Sequence, residues 1–294
     1  MKNQDFSKSK FVQLPKFAGL RQREGISMNI KGYLALTKAG ITEQMNFRLG
    51  TAVVFLGNLI YLLIIYFLWK AIFASSETDV VNGMTFSDTM IYLVLAMALF
   101  NFMEVYFVWL IGRNIQSGKI ILDIIKPIPF EQFMFFSNAG NLVVNFFLTL
   151  VPTMLIVYFL SGGAFLLNIN LLFFIVSVVF ALLINFSINF FVATICLYTE
   201  SIWGINIMKE VIVMLLSGAS IPLAFFPATL REIVGYLPFQ AIYNTPLTIL
   251  IQKKISVQGS MEQILIQLFW VVITGIGAHL FWKFSLKRIT VNGG

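Results

Sequence analysis

One cysteine, one histidine and little charge of either sign exclude most soluble chemistry from this chain of 294 residues. Cys196 sits in an apolar run, so neither a disulfide framework nor a cysteine metal site can form within the chain. With His279 as the single histidine, internal His-cluster metal sites are excluded and histidine-based catalysis is disfavoured. Charged residues make up 11% of the chain, where a soluble domain carries about a quarter. Proline is sparse as well, and four of the eight, Pro222, Pro227, Pro238 and Pro246, crowd into residues 217–250. Residues 1–28 are basic and lack an uninterrupted apolar core, which argues against a cleaved secretory signal and for a disordered tail.

What the chain has in excess is apolar surface. Hydrophobic residues reach 59% and phenylalanine alone numbers 31, the composition of a polytopic, all-α membrane protein. A hydrocarbon core about 30 Å thick requires roughly 20 apolar residues in helix. Runs that meet or approach this are 49–69, 90–111, 133–160, 171–198, 211–226 and 264–284. Lys and Arg excess marks the cytoplasmic side. With the N-terminus inside, sixteen of these residues lie inside and four, Lys70, Arg231, Lys253 and Lys254, lie outside. Six spans with both termini cytoplasmic are therefore expected, in the plasma membrane. The net charge of +7 belongs to span ends beside an anionic membrane face rather than to a nucleic-acid surface.

A seventh span over 233–252 competes, but it would place Lys283, Lys287 and Arg288 outside and would contain Pro238 and Pro246. Each proline removes a backbone donor and disfavours helix at the residue before it. Broken backbone at membrane depth is tolerated only where protein or a water-filled cavity covers it. Residues 217–250 are thus expected to dip in and return. Ahead of the first span, 29–48 places Ile30, Tyr33, Leu34, Ile41 and Met45 near helical spacing. This reads as an amphipathic helix in the inner interface, or as an extension of the first span.

Gly112-Arg-Asn-Ile-Gln-Ser-Gly-Lys119 invites comparison with a phosphate-binding loop and fails it. Five residues separate the glycines, and Ile120 stands where Ser or Thr must reach magnesium. ATP-driven work must therefore come from a partner. The loop 113–131 instead offers a short apolar helix, Ile120, Ile121, Leu122, Ile124 and Ile125, interspersed with Lys119, Asp123 and Lys126 and ended by Pro127 and Pro129. Such a helix seeks a groove in a partner, or packs in the interface. Glu104 lies well inside the second span, either as a pathway acid or as half of a structural pair. Asn138, Asn141 and Asn145 line one face of the third span, and Asn185 and Asn189 one face of the fourth. They read as interhelical hydrogen bonding before they read as a polar path.

Three stretches carry a family resemblance: Tyr33-Leu-Ala-Leu with Leu68-Trp-Lys-Ala-Ile-Phe73; Ile115-Gln-Ser-Gly-Lys-Ile-Ile-Leu-Asp-Ile-Ile-Lys-Pro127; and Gly218, Ile221-Pro-Leu, Phe226-Pro, Leu230, Leu237-Pro-Phe239 and Pro246. In these, and in the order of its spans, the chain resembles the type-2 permease subunit of ATP-binding-cassette exporters, the kind found in multidrug and antibiotic export. The resemblance implies an amphipathic elbow helix at 29–48 and a permease domain at 49–290, with a coupling loop at 113–131 and a re-entrant element at 217–250. Ile115, Gly118, Lys119, Ile121, Leu122, Asp123, Ile124, Lys126 and Pro127 would couple to the ATPase. Pro222, Phe226, Pro227, Arg231, Leu237, Pro238, Phe239 and Pro246 would form the outer gate. It further implies two ATP-binding-cassette ATPase subunits that bind ATP and magnesium, a second permease chain, identical or related, and no cofactor on this chain. A secondary transporter or channel using Glu104 as its proton or ion site is the competing reading, and a membrane enzyme a third. The Phe- and Ile-rich spans suggest an amphipathic, drug-like, lipid-like or peptide cargo.

Overall fold

A computed structural model describes residues 30–46, 48–103, 107–161, 169–199, 202–251 and 256–288. The basic tail, Glu104, Lys253 and Lys254 lie outside the described residues. The described residues are 84% helical. Helix α1 (Ile30–Asn46) precedes α2 (Arg48–Ala74), and a hairpin of β1 (Val80–Val81) and β2 (Met84–Thr85) follows. Asn82 and Gly83 both take positive φ, 49° and 82°, as a two-residue hairpin turn requires. Thr85 and Asp88 then exchange hydrogen bonds, Asp88 N donating to Thr85 Oγ1 at 3.1 Å and Thr85 N to Asp88 Oδ2 at 3.3 Å. That reciprocal cap starts α3 (Phe86–Met103). Next come α4 (Phe107–Gln116), α5 (Ile120–Ile124), and α6 (Phe130–Asn145), which runs through a π-turn at Phe146–Leu150 into α7 (Val151–Leu160). Pro152 lacks the N–H that a regular helix would aim back at residue 148, and the wider π-turn lies just ahead of it.

After α8 (Asn170–Ile195) and α9 (Ile202–Leu216), a 3-10 turn at Leu223–Phe225, α10 (Ala228–Gly235), a second 3-10 turn at Pro238–Ala241 and α11 (Asn244–Ile251) break the helical pattern. Helix α12 (Val257–Ser285) ends the fold with a 3-10 turn at Leu286–Arg288. Among the described residues, five helices are long and apolar enough to cross a membrane: Leu56–Ala74, Phe86–Gln116, Phe130–Leu160, Asn170–Ile195 and Val257–Ser285. The run expected at 211–226 is not one helix. Helix α9 starts nine residues before it and ends at Leu216, and Gly218 at φ +80° turns the chain away. Only glycine fits there, since an added Cβ would meet the Tyr92 hydroxyl at 2.7 Å. The fifteen residues of α9 span about 22 Å, less than a full crossing.

Helices α8 and α12 run in the same direction, Gln267 lying beside Ser177 near their starts and Trp282 beside Phe190 near their ends. One core cluster gathers α3, the start of α8, α11 and the end of α2. A second, some 20 Å further along by helical rise, gathers α4, α5, the start of α6 and the ends of α8 and α12, with Phe130 stacked on Trp282 at 4.5 Å.

Helix α1 does not present its sequence-predicted apolar stripe as a single buried face. Tyr33, Thr37 and Gly40 pack on α6 in the same chain direction. Tyr33 donates to Gln132 at 2.6 Å and Thr37 to the Phe136 carbonyl at 3.3 Å. At Gly40 and Gly140 the two backbones touch, and a Cβ on Gly140 would lie 2.4 Å from the Gly40 carbonyl carbon. Ile30, Leu34 and Met45 face outward. Residues 30–46 are thus one helix, held on α6 at Tyr33, Thr37 and Gly40.

Candidate functional site

Three places carry the chemistry. The first is the end of the molecule around α5. Gly118, at φ +72°, lets the chain reverse after α4, and Pro127 and Pro129 stop the helix that follows. Asp123 fixes the loop from inside: Asn114 donates to it at 2.9 Å and Lys126 at 2.8 Å, while the Lys126 ammonium sits 3.7 Å above the Phe133 ring. With five residues, α5 shows its faces clearly. Ile120 is 3% exposed, and Ile115, Ile121 and Ile124 pack against the second core cluster. Leu122 and Ile125 are 63% and 56% exposed, with Lys119 and Pro127 beside them in the open. Of the residues singled out in sequence, the structure therefore divides inward anchors from an outward apolar tip. Ile125, absent from the expected coupling set, is half of that tip.

Behind α5, His279 on α12 contacts Glu131 in the first turn of α6, Nδ1 lying 2.8 Å from one carboxylate oxygen and 3.0 Å from the other. Sequence alone gives this histidine no partner, because 148 residues separate the two. Both are partly exposed, so the pair is worth at most about 1 kcal/mol, and its consequence is registry between α12 and the start of α6. Cys196 is a buried core residue whose thiol lies 3.8 Å from the Val192 carbonyl.

The second place is a polar ladder through the middle of the fold. Asn145 donates to the Asn101 carbonyl at 3.0 Å, and Asn185 to the Met103 carbonyl at 2.9 Å, both on α3. Asn189 donates to the backbone and side-chain oxygens of Asn185 at 2.8 and 3.0 Å. Lys209 donates to Asn189 Oδ1 at 2.9 Å and lies 3.8 Å from Glu210, to which Asn206 also donates. Sequence expects Lys209 in a loop between spans. The structure puts it inside α9 with its side chain only 12% exposed. The apolar run on both sides, Ile202 to Leu216, is the signal that could have placed it there. Asn138 is buried and Asn141 partly so on α6. A cleft of about 370 Å³ opens beside the ladder, lined by Phe191, Ile205, Met208, Lys209, Phe239 and Thr274 among others.

The third place is the proline-punctuated element. Asn244 N donates to the Ser217 carbonyl at 3.1 Å, closing the element on itself so that it enters and leaves the fold at one point. Pro222 and Pro246 are buried, Leu237, Pro238, Phe226 and Phe239 partly buried, and Pro227 and Arg231 exposed. Phe225 rests on Trp69 at 4.4 Å, and Tyr243 faces Phe100 at 6.1 Å. The return limb α11 is core, whereas α10 shows only Val234 to the interior. Sequence reading missed Gln267 altogether. It is wholly buried on α12 and donates both to the Ala241 carbonyl at 2.7 Å and to the Ser177 carbonyl at 3.2 Å.

Compared with known proteins, residues 59–293 match the model of a family described as ABC-2 family transporter protein. No curated protein matches the chain.

Proposed function

The chain belongs to the ABC-2 family of transporter proteins, and from that premise we propose that it is the six-span permease half of an exporter driven by ATP hydrolysed on partner subunits. It is an ABC-2 type permease, the membrane component of such a system, and the family implies ATPase partners. The observation that carries the rest is α5. A short helix pinned from inside by Asp123, Ile120 and Ile124 leaves Leu122 and Ile125 unpacked at the tip of the molecule. In this reading that tip seats in a groove of an ATPase subunit. The helix α1, clamped to α6, braces it from the side. The core cluster beneath α5 includes the ends of α8 and α12, so a push at α5 is delivered to the two parallel helices that carry the proline-punctuated element at their other end.

Residues 217–250 are then the outer gate, with α9 and α11 as the two limbs of a broken fifth span and both termini cytoplasmic. The chain works as a pair with a second permease, over two ATPases, in the plasma membrane. The apolar cleft with its single ammonium, Lys209, supports an amphipathic cargo. Purification of the tagged full chain in mild detergent tests the reading. A nucleotide-binding subunit is expected to come down with it at near-equal amounts, and recovery of the chain alone from cells that contain its partner would contradict it.

A further inference from the structure

The cleft of about 370 Å³ beside the polar ladder is a slot that follows the helices walling it. On α8 its lining runs from Ser187 to Ile195, about 12 Å by helical rise, and α9 and α12 supply the other walls. Ile195, the last residue of α8, and Ile205, near the start of α9, mark one end. Pro238 and Phe239 close the other, because their turn sits beside Gln267 and Ser177, further toward the starts of α12 and α8. Helices α8 and α12 are both of membrane length, so in a bilayer the slot lies at the depth of the lipid chains.

The wall of the slot is nearly all carbon. Three polar side chains belong to it, Ser187, Lys209 and Thr274, and each is engaged elsewhere. Ser187 donates to the Leu183 carbonyl at 2.8 Å and Thr274 to the Trp270 carbonyl at 2.7 Å, each on its own helix. Lys209 donates to Asn189, which does not line the slot, and gives the wall its methylene stem. A charged or hydrogen-bonding group inside would be desolvated without return. Phe191, Met208, Ile212 and Phe239 instead offer a hydrocarbon close packing. We infer that the slot seats one unbranched hydrocarbon chain, acyl or alkyl, which enters sideways from the bilayer and leaves its polar head at the Ile195 end. An unfilled slot forfeits the dispersion contacts of its walls, and the material beside it at this depth is lipid chain. Two sources supply such a chain, a resident phospholipid and an exported amphiphile. Its use for cargo rests on the function proposed above, whereas the seat itself does not.

Photolabelling of the full chain in lipid nanodiscs tests the seat. The probes are palmitic acid with a diazirine near its chain end and, separately, phosphatidylcholine carrying the same chain. Leu265 and Phe269 on α12 are as exposed as Met208 but lie outside the slot. Adducts on Phe191, Met208 and Ile212 should exceed those on this pair by at least about threefold. Gly277 lines the slot, and a Cβ added there meets nothing within 4 Å, so Gly277→Leu narrows the space without a clash. That variant, and Met208→Trp separately, should each lower adducts on Phe191 by about threefold. Ile276→Phe, exposed and outside the slot, should leave them unchanged. Equal labelling of all exposed faces, or slot labelling that both narrowing variants leave intact, would overturn the seat. Slot residues labelled less than Leu265 would show that protein, such as a second copy of the chain, covers them, and would overturn it too. ATP hydrolysis by the assembled complex separates the sources. Palmitate that labels the slot and raises hydrolysis, with both lost in Gly277→Leu, identifies the chain as cargo. Labelling by phosphatidylcholine, with hydrolysis indifferent to palmitate and to Gly277→Leu, identifies a resident lipid. In that case the seat stands and its use for cargo falls.

Discussion

Replacing Leu122 and Ile125 together by Asp is expected to lower cargo-stimulated ATP hydrolysis in the assembled complex by more than about tenfold, with the chain's own thermal midpoint moving by less than about 2 °C. Both side chains are more than half exposed and make no core contact to lose. A carboxylate at either position would have to be desolvated to enter an apolar groove, which costs several kcal/mol. The neighbouring substitutions sort the opposite way. Ile120→Asp puts a charge where exposure is 3%, and Ile121 and Ile124 pack against the second core cluster, so these variants lower the midpoint before any partner is involved. Equal loss of hydrolysis with an unshifted midpoint in Ile121→Asp would show that the inward face makes the contact.

Gly140→Val is expected to lower the thermal midpoint by about 6–12 °C. Valine's Cβ would fall 2.4 Å from Gly40 C and from Ile41 N, both backbone atoms, so one helix must shift bodily. Helix propensity runs the other way, because leaving glycine gains up to about 1 kcal/mol in a helix interior. Overpacking of this kind costs about 1–3 kcal/mol and more where backbone is the obstacle, so the clash wins. Gly140→Ala, with the same Cβ, should fall short of the valine variant yet remain destabilised. Gly57→Ala, which meets nothing within 4 Å, is the control expected to hold or raise the midpoint. A midpoint in Gly140→Val equal to that of the unsubstituted chain would mean that α1 does not pack on α6.

The helical architecture is largely legible in sequence because uncharged runs of membrane length leave few alternatives. The start of α6 after Pro127 and Pro129, and the breaking of the chain after Leu216, follow from proline and glycine chemistry that acts on adjacent residues. Three features resist such reading for one physical reason, that they are set by partners far away in sequence. Gly40 and Gly140 are unremarkable until the helices carrying them meet. Gln267 is a lone amide in an apolar run, and only the Ala241 and Ser177 carbonyls reveal its task. In α5 nearly every residue is apolar, so periodicity cannot say which side faces in. Burial of Ile120 against exposure of Leu122 and Ile125 decides it. Lys209 shows the converse error, in which a charge counted as a loop residue is carried inside α9 by the apolar residues around it and by Asn189.

Site-specific photo-crosslinking from position 122 in membranes of cells that contain the whole system tests the central claim most directly. A photoreactive residue in place of Leu122 should yield, on illumination, one covalent adduct of this chain with a nucleotide-binding subunit, and the same residue at the buried Ile120 should yield none. Adducts with lipid alone from position 122, in membranes where the ATPase is present, would contradict the account.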